Sequence, residues 1–81
     1  MKHATSATLN AIEPLLRKVR AIDGLDERKR GIFYRKGVAL LHFHEDPAGL
    51  FADLKVNGVW KRMRVSEREE REALLREARR A

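Results

Sequence analysis

The chain predicts an α+β fold: a four-stranded antiparallel meander with an N-terminal and a C-terminal helix packed on one of its faces, in the order α-β-β-β-β-α. Three observations carry this expectation. Leu9, Ile12, Leu15, Leu16, Val19 and Ile22 recur at three- and four-residue spacing, which lays one apolar stripe along a helix. From Val38 to Val65 the apolar period drops to two and turn residues punctuate the alternation, as in linked hairpins. From Ser66 onward the glutamates come early and the arginines late, the polarity that suits a helix dipole.

Taken in order, the first helix has a strong stripe but an ambiguous start. Pro14 cannot donate to residue 10 and is comfortable only in a first turn, so regular helix either begins near Asn10 or kinks there. Asp23-Gly24-Leu25 ends it, with Gly24 able to take a left-handed C′ position while Leu25 folds back on Val19 or Arg20. The connector Asp26 to Gly31 is charged and reads as an exposed link. Ile32 to Arg35 reads as a short strand, turned by Lys36-Gly37 into Val38 to His44. Asp46-Pro47-Ala48-Gly49 has the residues of a type I turn, with Glu45 and Asp46 as turn formers and Asp46 accepting its own backbone N–H. Leu50 to Val56 and Val59 to Val65 are then joined by Asn57-Gly58, the pair best able to take positive φ at both positions of a type I′ turn. Ser66 with Glu69 forms a capping box for a last helix that reaches the C-terminus. That helix has a narrow stripe of Leu74, Leu75 and Ala78 and reads as a surface helix, not a nucleic-acid reader.

With 81 residues, residues 1–81 are expected to form a single small domain, because two cores of half this size could not offset their conformational entropy. There is no cysteine, which excludes disulfides and thiolate metal sites and suggests a cytoplasmic location. No leader-like h-region and no membrane span is legible. The formal net charge is +6. Acids and bases balance over the last helix, so the excess lies on the first helix, its connector and the sheet, and would attract a polyanion at long range.

Hairpin arithmetic gives a register. If Val56 opposes Val59, then Lys55 opposes Trp60, Asp53 opposes Arg62 and Phe51 opposes Arg64. Leu50, Ala52, Leu54 and Val56 share the other face with Val59, Lys61, Met63 and Val65, and Lys61 is expected to snorkel at the rim. Setting Glu45 against Leu50 places Ala39, Leu41 and Phe43 on that core face, where both helices should pack. The opposite face then carries His42 beside Asp53 beside Arg62, and His44 beside Phe51 beside Arg64. Lys55 lies against Trp60, and Val38 and Leu40 make an apolar end near Trp60.

Three readings compete for this outer face. Rings and guanidinium groups could stack bases and hold phosphates, as sheet platforms do for single-stranded RNA or DNA, although Asp53 sits in the centre and no aromatic-Gly-aromatic platform motif is present. The face could instead be a homodimer or partner interface. Or it could be a solvated strand surface with Asp53 and Arg62 as a cross-strand ion pair and Lys55 covering Trp60. His42-Phe43-His44 also invites a metal, since alternate strand residues put two imidazoles on one face and Asp53 could be a third ligand; firm third and fourth ligands are missing and the nearby arginines oppose a cation. His42 with Asp53 is the only dyad available as an oriented general base, but a structural pair explains it better, because a functional dyad needs a pocket and this sheet face offers a shallow one. Thr5, Ser6, Thr8 and Ser66 stand where helix capping explains them.

The sequence therefore points to a small basic binding module, non-catalytic, contacting single-stranded nucleic acid or another acidic partner through His42, His44, Phe51, Asp53, Lys55, Trp60, Arg62 and Arg64. The alternatives are a homodimeric or partner-binding protein without nucleic-acid activity, and a metal or general-base site at His42, His44 and Asp53. No cofactor and no membrane partner are expected.

Overall fold

The computed structural model describes residues 2–81. Its elements in chain order are β1 (Lys2–His3), α1 (Ser6–Ala11), α2 (Glu13–Arg20), β2 (Asp26–Lys29), β3 (Ile32–Arg35), β4 (Val38–Asp46), β5 (Gly49–Val56), β6 (Val59–Arg64) and α3 (Arg68–Arg80). The fold is α+β with an antiparallel sheet. The sheet is larger than the expected four strands: its order is β2-β3-β4-β5-β6, and β1 also pairs with β4. Because β5 occupies one edge of β4, β1 and β3 share the other, with His3 opposite His44 just beyond Ile32 opposite His42.

The stretch read as an exposed connector is the edge strand β2, which pairs with β3 through Asp26↔Tyr34, Glu27↔Phe33 and Lys29↔Ile32. Its charged side chains gave no alternation, because an edge strand is held by its backbone and is guarded by charge. Glu27 adds a local anchor: its carboxylate accepts from the Gly31 N–H at 2.8 Å and from the Arg20 guanidinium. The first helix divides at Ile12, the C-cap of α1 and the N-cap of α2, with Pro14 in the first turn of α2. Helical bonding runs through the break, from Ile12 N to Thr8 O at 3.2 Å and from Leu16 N to Ile12 O at 3.0 Å.

Both turns between β3 and β4 and between β5 and β6 take positive φ at two successive residues, Lys36 (51°) with Gly37 (79°) and Asn57 (52°) with Gly58 (78°). They set the meander's register. In β5–β6, Phe51↔Arg64, Asp53↔Arg62, Lys55↔Trp60 and Val56↔Val59 pair as the arithmetic requires, and in β4–β5 so do Glu45↔Leu50, His44↔Phe51 and His42↔Asp53.

One core cluster joins helix residues such as Leu16, Val19 and Leu74 to strand residues such as Phe33, Leu41, Phe43 and Leu54. These strand residues share one face, so all three helices lie on that side. Each such buried side chain contributes roughly 1.5–3 kcal/mol relative to exposure. Lys61 stays at the rim, its Nζ 3.1 Å from Glu77 Oε1. Two expectations fail at the turn end of the sheet. Val59, expected on the core face, is 68% exposed. Leu40, expected on the outer face, is buried in the core cluster. The register slips between Phe33↔Leu41 and Tyr34↔Ala39, which makes Leu40 the extra residue of a β-bulge, and a bulge re-aims its side chain.

The cap of α3 also differs by one residue from the expected Ser66–Glu69 box. Glu67 is the N-cap, and Glu70 returns the bond in the capping box. Ser66 is committed elsewhere, its hydroxyl accepting the Leu50 N–H at 3.1 Å.

Candidate functional site

With the helices on one side, the other side of the sheet displays alternate residues of β4, β5 and β6. The period of two puts His42 and His44 on this face of β4, Phe51, Asp53 and Lys55 on β5, and Trp60, Arg62 and Arg64 on β6. All eight residues anticipated from sequence share it, but they make two different groups. His42, His44, Asp53, Trp60 and Arg62 form a contiguous cluster; Phe51, Lys55 and Arg64 flank it.

At the centre, Asp53 is buried, and Arg62 donates to it through Nε and a terminal nitrogen, each at 2.8 Å. This charge-assisted pair holds the Asp53 carboxyl below its ordinary range and lifts the Arg62 guanidinium further above its own. The imidazole that reaches Asp53 is His44, with Nε2 3.2 Å from Oδ2. The dyad anticipated between His42 and Asp53 is therefore replaced by one from the next row. His42 instead stands with its Nδ1 2.6 Å from His44 Nε2 and its ring edge against Trp60, the ring centres 4.9 Å apart. Burial is the main reason both histidines titrate below the ordinary imidazole value; for His42 the neighbouring His44 adds to it, and for both Asp53 opposes it.

A third imidazole joins them. His3 lies 4.8 Å from His44 and 5.8 Å from His42, ring centre to ring centre, and the ligand nitrogens of all three fall within 4.8 Å of one another. Sequence reasoning missed His3, because two residues are too few to show alternation. The clasp that brings it in uses Glu45, which does more than begin a turn. Its carboxylate accepts the Thr5 N–H at 2.5 Å and the Thr8 hydroxyl at 2.8 Å, tying the start of α1 to β4. Asp46 begins the turn as expected, but the backbone N–H that its carboxylate accepts is that of Ala48, at 2.7 Å, and not its own.

On the flanks, the Lys55 ammonium sits 4.9 Å from the centre of the Trp60 ring, and Arg64 lies 3.6 Å from Glu70. Trp60 is 43% exposed. A cleft of about 260 Å³ opens beside His3, between β1, α1 and the β2–β3 turn, and a second of about 350 Å³ separates α2 from α3 on the far side of the sheet. No described helix is long and apolar enough to cross a membrane.

No protein-family model matches this chain, and neither a curated protein nor a solved structure similar to it is found. Function has to be argued from the site itself.

Proposed function

We propose that this chain is a small non-catalytic binding module that takes an acidic partner on the outer face of its sheet, with single-stranded nucleic acid the most concrete ligand. One observation carries the reading: Trp60 is 43% exposed on the helix-free face, with a lysine over its ring and two arginines further along the same strand. An accessible indole offers a base a stacking surface, and neighbouring cations offer the phosphates a counter-charge. The cations are not equivalent. Arg62 is committed to Asp53 by two hydrogen bonds, whereas Arg64 has only a 3.6 Å ionic contact with Glu70, so Arg64 and Lys55 are the phosphate contacts in this proposal.

The test is a titration of the protein with random single-stranded oligonucleotides carrying a fluorophore, read by anisotropy at several salt concentrations. Trp60→Ala is expected to weaken binding at least about tenfold, from the roughly 1–3 kcal/mol of one base stack. Arg64→Ala is expected to lower the salt slope by roughly one. Absence of binding by the parent protein, or binding indifferent to both substitutions, rejects the proposal.

A second reading, self-association, draws on β6 ending the sheet order and so, among the described residues, leaving one edge unpaired beside exposed Val59 and Trp60. Lys61, Arg62 and Arg64 guard that edge as charges guard edge strands, which favours the first reading. Light scattering separates the two, since a dimer through an apolar edge persists when salt is raised and nucleic-acid binding fades.

A further inference from the structure

We propose that His3, His42 and His44 form a binding site for a divalent transition-metal cation of the Zn²⁺ class. The proposal is independent of the nucleic-acid reading. Its basis is the way two backbone pairings converge. His42 and His44 alternate along β4, and the pairing of β1 sets His3 directly opposite His44. Three imidazoles thus meet on one sheet face with their ligand nitrogens within 4.8 Å of one another.

In a tetrahedral Zn²⁺ site with Zn–N near 2.0–2.1 Å, ligand nitrogens stand about 3.4 Å apart. The pair His44 Nε2 and His42 Nδ1, now at 2.6 Å, has to open by somewhat under an ångström, and the widest separation has to close by somewhat more. Ring rotation at the exposed His3 and the half-buried His42 supplies both, since the His44 side chain is only 12% exposed. An all-imidazole set selects Zn²⁺ and related borderline cations over Ca²⁺ or Mg²⁺, which require oxygen ligands.

The neighbouring charges fit a cation better than the sequence suggested. Arg62, which would repel it, is neutralised by its two bonds to Asp53. Asp53 Oδ2 lies 3.2 Å from His44 Nε2 itself, the nitrogen that would face the metal, so the carboxylate borders the metal position and is within reach as a further oxygen ligand. The exposed His3 leaves an entry path, and a water would complete the coordination.

Untagged protein is titrated with ZnCl₂ by calorimetry and, in parallel, with Co²⁺ by visible absorption. Cu²⁺ and Ni²⁺ are avoided, because an amino terminus together with His3 alone can hold them in a square plane. The expected result is one Zn²⁺ per chain, intense four-coordinate Co²⁺ bands and a raised thermal midpoint. Each of His3→Ala, His42→Ala and His44→Ala should weaken Zn²⁺ at least about tenfold. His3→Ala decides the matter, since an exposed residue can be removed without unfolding the core, which its metal-free circular dichroism would verify. Failure of the parent to bind Zn²⁺, undiminished binding by His3→Ala, or binding retained when His42 and His44 are both replaced overturns the proposal.

Discussion

Arg62 and Asp53 form a two-toothed contact across β5 and β6, both hydrogen bonds at 2.8 Å, and the partners differ in exposure: the Arg62 side chain is 51% exposed and that of Asp53 only 12%. The asymmetry decides which truncation hurts more. Arg62→Ala leaves a shielded carboxylate with His44 as its remaining partner, whereas Asp53→Asn leaves an arginine free to turn to water. Arg62→Ala should therefore unfold at lower urea than Asp53→Asn, and adding Asp53→Asn to Arg62→Ala should recover part of the loss. Equal or additive midpoints would show that the pair is not the anchor of this face.

The N-terminus of α3 offers a sharper comparison. Glu70 Oε1 accepts the N–H groups of both Ser66 (3.0 Å) and Glu67 (2.8 Å), while neighbouring Glu69 is exposed. Glu70→Ala should cost about 1–2 kcal/mol, in the range of a lost cap. Glu69→Ala should stay within about 0.5 kcal/mol of the parent. Denaturant curves of the two variants measure the difference directly.

Acid should dissolve the junction between α2 and the β2–β3 hairpin. Glu13 receives Arg20 at 2.6 Å and Arg30 at 2.8 Å, and these guanidinium groups hold its carboxyl down from 4.5 to about 2. A carboxyl depressed in the folded state contributes stability in full above its unfolded value and loses it as pH falls through the folded one. Glu13→Gln should thus be destabilised most near neutrality, and its gap from the parent should shrink between about pH 4.5 and 2. Urea midpoints at pH 7, 4 and 2.5 check this; a gap constant with pH would place the effect in packing.

Lys36 occupies left-handed backbone at φ 51° without being glycine or asparagine. The equivalent first position of the β5–β6 turn is Asn57, whose short polar side chain tolerates that region. Lys36→Asn should stabilise the protein by about 0.5–1 kcal/mol, seen as a raised thermal midpoint with an unchanged circular dichroism spectrum.

The register of the outer face was legible because it hangs on local chemistry. Asn57-Gly58 sets β6 against β5, the Asp46-to-Gly49 turn sets β5 against β4, and alternation carries both along the strands. What escaped reading lacked such a marker. β2 is wholly charged and β1 has two residues, so neither shows a period of two, and both are recognised only by the strand they pair with. In Val38 to Phe43, two adjacent leucines break the alternation; strict alternation sent Leu40 outward, where a bulge turns it inward. At α3, Ser66 and Glu67 each precede a glutamate by three positions, and hydroxyl preference favoured Ser66 until tertiary structure claimed its oxygen for Leu50. His3 was missed for the same reason as β1, so the His-x-His pair showed no firm third ligand.

The clasp of Thr5 and Thr8 on Glu45 has a practical side. It delivers Lys2 and His3 onto the histidine-bearing face, so a polypeptide joined ahead of Lys2 starts beside those rings. An amino-terminal oligohistidine tag would supply competing imidazoles there, and a bulky fusion partner would screen the indole from ligands. Ala81, by contrast, follows α3 and packs against the core cluster on the helical side. Appending a handle at that end keeps the sheet surface open to assay.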